Sequence, residues 1–155
     1  AADEERGERE LRRGDLHGCR LADDSVLVRE GIARLLDEAG MHVLAQAGTG
    51  DELLEQVSAL RPDVAVVDIR MPPSGSDEGL RAAKAIRGLF PEVGVLLLSQ
   101  TLEPAYAREL LETGDESVGY LLKDRVADMQ EFTRALLRIA PGEIVLDDEL
   151  TAPAA

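Results

Sequence analysis

Acidic, hydroxyl and basic side chains stand at the ends of four short apolar runs in this sequence. Asp68 ends the run "DVAVVD", and Ser99 ends the run "VGVLLLS". Two adjacent residues, Asp23 and Asp24, follow the run "CRLA", and Lys123 ends the run "VGYLLK". A carboxylate nucleophile, carboxylates that hold a cation, and a hydroxyl and a lysine that bind phosphoryl oxygens are the groups that phosphoryl transfer to a side chain requires.

The apolar runs alternate with amphipathic segments, a pattern typical of a parallel β-sheet covered by helices. Gly40 ends the first amphipathic segment, and Pro62 prevents the second from continuing as a helix. The alternation predicts five strand–helix units. Strands are predicted at 19–22, 42–47, 63–68, 93–99 and 118–123, and helices at about 26–39, 51–60, 77–88, 104–113 and 126–139.

These polar residues are expected to meet, because open parallel sheets place their ligand site at the carboxyl ends of the strands. Asp23, Asp24 and Asp68 would repel one another strongly unless a cation lay among them, and such oxygen ligands suit Mg²⁺. With Mg²⁺ and Lys123 neutralising the phosphoryl oxygens, Asp68 can attack a phosphoryl group in line. The Ser99 hydroxyl and the Lys123 ammonium would then hold the acquired group.

Composition limits the possible functions. The chain has 155 residues, 45% of them hydrophobic, and no apolar run long enough to cross a bilayer, so we expect one soluble domain without a membrane partner. The single cysteine, Cys19, cannot form an internal disulfide, which favours a reducing cytoplasm. The net charge of -14 disfavours binding to a nucleic-acid backbone.

Four motifs together resemble the receiver domains of two-component response regulators: "LADDSVLVREG", "PDVAVVDIRMP", "VLLLSQ" and "GYLLKD". The segments "DDSVLVREG" and "GYLLKD" are similar to those of the NarL/FixJ (LuxR-type) branch. The resemblance covers about residues 19–147 and implies a flavodoxin-like, doubly wound α/β fold with strand order 2-1-3-4-5. It also implies that a histidine kinase phosphorylates Asp68 in a phosphorelay that controls transcription. Such a domain is a phosphoacceptor and not an enzyme, except in its own phosphorylation and dephosphorylation.

The resemblance also implies a ligand set for the metal. Mg²⁺ would be held by Asp24, by Asp68 and by the backbone carbonyl of Arg70, with Asp23 acting through water. The loop "PPSGSDEG" that follows is longer than is usual in the family, which changes the rim of the site and not its carboxylates.

Ser99 and Tyr120 would form the switch pair by the same resemblance, and Lys123 and Ser99 would stabilise the phosphoryl group. Tyr120 could instead be a partly exposed packing residue. Gln100 stands where a small residue is commoner in the family, so it could narrow access to the phosphoryl site. Arg20 occupies a strand in which branched aliphatic residues are expected, so either its side chain reaches the surface or the strand is short.

Residues 1–18 mix both charge signs with almost no apolar residue, so we interpret them as a charged tail or linker, disordered by composition. Residues 148–155 would be a C-terminal tail at the start of the linker to an effector. Regulators of this branch bind DNA through a helix-turn-helix domain, and we expect no recognition helix within these 155 residues. The resemblance also allows a homodimer.

The sequence is also compatible with two other functions. The first is a phosphorylation-independent interaction module with a receiver-like fold. The second is an aspartate-nucleophile phosphohydrolase resembling the haloacid-dehalogenase group. That group places the nucleophile strand first and a second aspartate two residues on, whereas here the acidic pair precedes Asp68 and Arg70 occupies that place.

Overall fold

The computed structural model describes residues 19–22, 25–38, 43–59, 61–70, 77–114 and 116–151. Within them, strands and helices alternate along the chain as the apolar pattern predicts. None of these helices is long and apolar enough to span a membrane. The strands are β1 (Cys19–Ala22), β2 (Val43–Ala47), β3 (Val64–Asp68), β4 (Gly94–Ser99), β5 (Val118–Leu122) and β6 (Ile144–Leu146). The helices are α1 (Val26–Glu38), α2 (Gly50–Ala59), α3 (Glu78–Leu89), α4 (Pro104–Leu111), α5 (Met129–Ile139) and α6 (Asp148–Thr151), and a 3-10 turn (Lys123–Ala127) follows β5.

The strands form one parallel sheet in the order β2-β1-β3-β4-β5-β6. The predicted doubly wound α/β class is confirmed, and the predicted order 2-1-3-4-5 is present within this larger sheet. In the central strand β3, Asp68 lies in register with Leu98 of β4. The pairing of β1 with β2 shifts register between Cys19 and Arg20, at the position where the sequence is unusual for a central strand. The side chain of Arg20 lies outside the described part of the structure.

Strands β3 and β4 are buried along their whole length, because helices cover both faces of the sheet. Alternate residues of each strand therefore enter opposite cores. In β3, Val64 and Val66 pack with α1 and α5, whereas Ala65 and Val67 pack with α2, α3 and α4. This double burial explains why the strand is a continuous apolar run, and it leaves the strand end as the place for a polar residue.

The sequence prediction of five strands was incomplete. The segment Ile144–Leu146 pairs in parallel with β5, so that Tyr120 lies in register with Leu146. Three residues are too few to show a period of two, and the segment becomes a strand because β5 has a free edge beside it. The predicted last helix also begins later than expected, at Met129, since the residues directly after β5 form the 3-10 turn.

Side chains define the starts of several helices. The hydroxyls of Ser25 and Thr49 accept hydrogen bonds from amides in the first turns of α1 and α2, and the Asp128 carboxylate accepts one from Glu131 in α5. Each bond satisfies an amide that lacks an intrahelical partner.

Candidate functional site

The Asp68 carboxylate lies at the carboxyl end of β3, where the sheet meets the loops on one edge. The residue is only 7% exposed, since β1 and β4 flank its strand. A carboxylate this buried is costly unless positive charge or hydrogen-bond donors compensate it. The Arg70 amide approaches Asp68 Oδ1 at 3.4 Å, which is long for a hydrogen bond.

Lys123 supplies a positive partner. It is the first residue after β5, and its Nζ lies 3.2 Å from Asp68 Oδ2, although the two residues are 55 positions apart in the sequence. Both side chains are largely buried. The prediction that the ends of β3 and β5 converge is therefore confirmed. A carboxylate oxygen of Asp68 and the ammonium of Lys123 face each other at the sheet edge.

Gly79 packs against the backbone of Asp68, a contact that the sequence did not reveal. A Cβ atom at Gly79 would overlap the Asp68 carbonyl oxygen and would come within 2.7 Å of Ile69 Cα. The Gly79 amide also donates a 2.8 Å hydrogen bond to the Ile69 carbonyl. The first turn of α3 therefore supports the end of β3 directly, and only glycine allows this approach. The glycine in "DEG" was visible, but no local pattern says what it would touch.

The predicted metal ligands are only partly described. Asp68 offers a carboxylate at the end of β3, and Arg70 follows two residues later with a backbone carbonyl. Carboxylate and carbonyl oxygens are both ligands of the kind that Mg²⁺ takes. Asp23 and Asp24 lie outside the described residues. The described residues alone hold no group of three or more His, Cys, Asp or Glu side chains that could bind a metal.

Ser99 and Tyr120 meet at the loop between β4 and α4. The Ser99 hydroxyl donates a hydrogen bond to the Thr101 carbonyl, and the Tyr120 hydroxyl approaches the same oxygen at 3.4 Å. The Tyr120 hydroxyl also accepts a 3.0 Å hydrogen bond from the Glu103 amide. The two predicted switch residues are thus connected through one short loop.

The Tyr120 side chain is fully buried, with 0% exposure, and packs in the core beneath α3 and α4. The alternative reading, a partly exposed packing residue, is wrong for this conformation. Burial raises the pKa of the phenol, and the hydrogen bond from the Glu103 amide opposes that effect in part. Gln100, beside Ser99, is exposed.

A second buried carboxylate, Asp147, lies on the other side of the turn that carries Lys123. Arg125 binds it with two hydrogen bonds of 3.0 Å each, and the Leu122 amide donates a third of 2.9 Å. Burial alone would raise the pKa of Asp147, but hydrogen bonds from Arg125, Leu122 and Glu149 together lower it to about 2. The same bond raises the pKa of Arg125. Sequence reasoning missed this group, because nothing in "KDR" or "LDDEL" links the two segments.

Comparison with known families gives a clear match. The model of the response regulator receiver domain matches residues 20–136. Among curated proteins, the chain is 41% identical over 133 residues to the transcriptional regulatory protein LnrK of Bacillus subtilis, covering 85% of this chain and 57% of that protein. It is 34% identical over 132 residues to the oxygen regulatory protein NreC of Staphylococcus haemolyticus, covering 84% and 58%. The chain thus spans a little over half the length of these relatives.

Solved structures agree with this result. The fold superimposes with a TM-score of 0.75 on a LuxR-family two-component response regulator from Aurantimonas sp. SI85-9A1, at 26% identity and covering 88% of this chain and 93% of that one. It superimposes with a TM-score of 0.69 on the signal receiver domain of the putative response regulator NarL from Mycobacterium tuberculosis, at 35% identity and covering 82% and 98%.

Proposed function

Because the chain belongs to the response regulator receiver family, in its NarL/LuxR-type branch, we propose that Asp68 accepts a phosphoryl group from a histidine kinase. Receiver domains are signalling domains and not conventional enzymes. In this proposal the chain takes part chemically only in its own phosphorylation and dephosphorylation.

The observation that carries the proposal is the contact between Lys123 Nζ and Asp68 Oδ2, 3.2 Å long, at a strand end that is otherwise buried. The Asp68 carboxylate lies beside the Lys123 ammonium, and in the proposed reaction one of its oxygens attacks the phosphorus in line. The bond between phosphorus and the donor nitrogen then breaks, and the imidazole leaves. Lys123 offsets the negative charge on the phosphoryl oxygens during the transfer.

Mg²⁺ binding is typical of this family. In this proposal Asp24, Asp68 and the Arg70 carbonyl hold the ion, and Asp23 acts through water. The support in the structure is the Asp68 carboxylate at the end of β3, since the acidic pair lies outside the described residues. When bound, the ion supplies positive charge that Lys123 alone cannot provide to three phosphoryl oxygens.

Ser99 would report the phosphorylated state. Its hydroxyl now donates to the Thr101 carbonyl, so binding to a phosphoryl oxygen requires it to leave that acceptor. Tyr120 shares the same loop through Thr101 and Glu103. A change at Ser99 would therefore alter the loop that Tyr120 supports, and the surface of residues 100–135 would repack.

The proposed output is a protein interface that controls transcription. Residues 19–147 would form the receiver domain, with 1–18 as a charged tail and 148–155 leading into an effector segment. Support comes from the relatives, which are named as regulatory proteins and are longer than this chain. We place the chain in the cytoplasm, and its proposed partners are a histidine kinase and a second copy of the chain, with DNA bound only through a separate helix-turn-helix domain.

Incubation with acetyl phosphate and Mg²⁺, followed by intact mass measurement, tests the proposal. We expect a gain of one phosphoryl group in the wild type and none in Asp68→Asn. Asp37→Asn is the matched control, because Asp37 is an exposed aspartate in the last turn of α1 and should leave uptake unchanged. An undiminished gain in Asp68→Asn would place the acceptor elsewhere.

The same experiment separates the alternatives. A phosphorylation-independent interaction module would show no Mg²⁺-dependent mass gain in any variant. A phosphohydrolase would turn over the donor many times without accumulating the acyl phosphate. The family match favours neither, and Arg70 in place of a second aspartate argues against the hydrolase.

A further inference from the structure

The short turn between β5 and α5 binds one carboxylate on each side. Lys123, its first residue, contacts Asp68 in the phosphoacceptor site. Arg125, two residues later, binds Asp147, and the amide of Leu122, just before the turn, donates to the same carboxylate. Asp147 therefore binds one residue before Lys123, Leu122, and one residue after it, Arg125.

Asp147 directly follows β6, the strand through which the C-terminal segment, residues 144–151, joins the sheet. Its amide donates a 2.8 Å hydrogen bond to the Tyr120 carbonyl, and its carboxylate caps the next turn by accepting from the Glu149 amide at 3.0 Å. The residue is 1% exposed. Because the buried carboxylate can exchange few of these hydrogen bonds for water, breaking any of them is costly. Asp147 therefore fixes the positions of the groups that donate to it.

The C-terminal segment also lies across a cavity from the loop between β4 and α4, residues 100–103. A cavity of about 520 Å³ separates them. Its lining includes Thr101, Leu102 and Pro104 after β4, Leu122 and Asp124 at the end of β5, and Leu150 of α6. The segment thus touches the strand of Tyr120, the turn of Lys123 and the space beside the Ser99 loop.

We propose that Asp147 is a positioning residue for Lys123, and that through the turn 122–125 it couples the phosphoacceptor site to the C-terminal segment. The effect on phosphoryl uptake rests on the proposed function, whereas the contacts of Asp147 do not depend on it. A phosphoryl group on Asp68 draws Lys123 to new oxygens, and the turn transmits that movement to Arg125 and Asp147. Coupling of this kind is reciprocal, so loosening Asp147 must also alter the site.

Rates of phosphoryl uptake from acetyl phosphate with Mg²⁺ test whether Asp147 affects the phosphoacceptor site. We expect Asp147→Asn to slow uptake about tenfold, because Lys123 is no longer held in place. Arg125→Gln should slow it by a smaller factor. Glu143→Gln is the matched control: Glu143 is an exposed carboxylate in a 3.4 Å ion pair with Arg138 just before β6, and its loss should leave the rate within about twofold.

A double-mutant comparison separates positioning from general damage to the fold. In a Lys123→Met background, Asp147→Asn should change the uptake rate by less than about twofold, because the residue through which it acts is gone. An equal factor in both backgrounds would overturn the proposal, and so would a wild-type rate retained in Asp147→Asn.

Amide hydrogen exchange without any phosphodonor tests the reverse direction. Lys123→Met should speed exchange at the Leu122 and Asp147 amides several-fold, whereas Lys84→Met, which removes a surface pair with Glu109, should not. Unchanged exchange in Lys123→Met would refute the coupling. If even the wild type takes up no phosphoryl group, the proposed function fails, and this exchange comparison still decides the coupling.

Discussion

Ser99 and Tyr120 share one hydrogen-bond acceptor, the carbonyl oxygen of Thr101. The tyrosine is already fully buried in this arrangement. Tyr120 is therefore already in the core, and this conformation leaves it no further inward rotation. The movable partner is Ser99, whose hydroxyl can leave Thr101 for a phosphoryl oxygen, and the loop that Tyr120 holds would then adjust.

Tyr120→Phe should lower the free energy of unfolding by about 1 kcal/mol, because the Glu103 amide loses the hydroxyl that accepts its hydrogen bond. Urea denaturation measures the change. Tyr106→Phe, at the chain's other tyrosine, is the control and should cost less. Equal losses in the two variants would mean that the hydrogen bond to the loop contributes nothing specific.

Gly79→Ala should destabilise the fold by about 1–3 kcal/mol and slow phosphoryl uptake, because the added methyl group pushes α3 away from the end of β3. Gly88→Ala, in the same helix, is the matched control. Apart from its chain neighbours and the backbone of its own helix, no described atom lies within 4 Å of a Cβ there, so alanine should stabilise the helix by about 0.5–1 kcal/mol. A Gly79→Ala variant as stable and as reactive as the wild type would refute the close approach.

Added Mg²⁺ should raise the melting temperature, because a ligand that binds only the folded state stabilises it by about 2–3 kcal/mol at a hundred times its dissociation constant. Asp24→Ala should reduce this rise, since it removes a proposed ligand. Sodium chloride at equal ionic strength controls for screening of the acidic surface. A rise of the same size in the variant and the wild type would indicate screening alone.

Asp147 should make the free energy of unfolding depend on pH in the acidic range. Its pKa is lowered from 3.8 to about 2 in the fold, so the folded state favours the ionised form. This contribution, about 2 kcal/mol, is complete above pH 4 and is lost as the pH falls from about 4 to 2. Urea midpoints across this range should fall less steeply for Asp147→Asn than for the wild type, with Glu143→Gln following the wild type. Parallel curves for Asp147→Asn and the wild type would contradict the shift.

Local pattern was enough for the main elements of this protein. The apolar runs predicted five strands to within a residue or so of where they lie. The order of those five in the sheet is the one that the family resemblance implies, and local pattern did not supply it. The positions of Asp68, Ser99 and Lys123 at strand ends followed too. Burial on both faces demands continuous apolar residues, so the first polar residue marks the end of the strand, and parallel strands end on one edge.

Contacts between distant segments were decided only by the tertiary structure. Gly79 against the Asp68 backbone, Tyr120 beneath the loop of Thr101, and Asp147 between Leu122 and Arg125 each join residues that share no local pattern. Strand β6 is too short to have a period of its own and exists by pairing with β5. Hydrophobic periodicity is a property of neighbouring residues, and it specifies which face is buried. Which side chains then meet depends on how the helices pack on the sheet, and that is set by the whole chain at once.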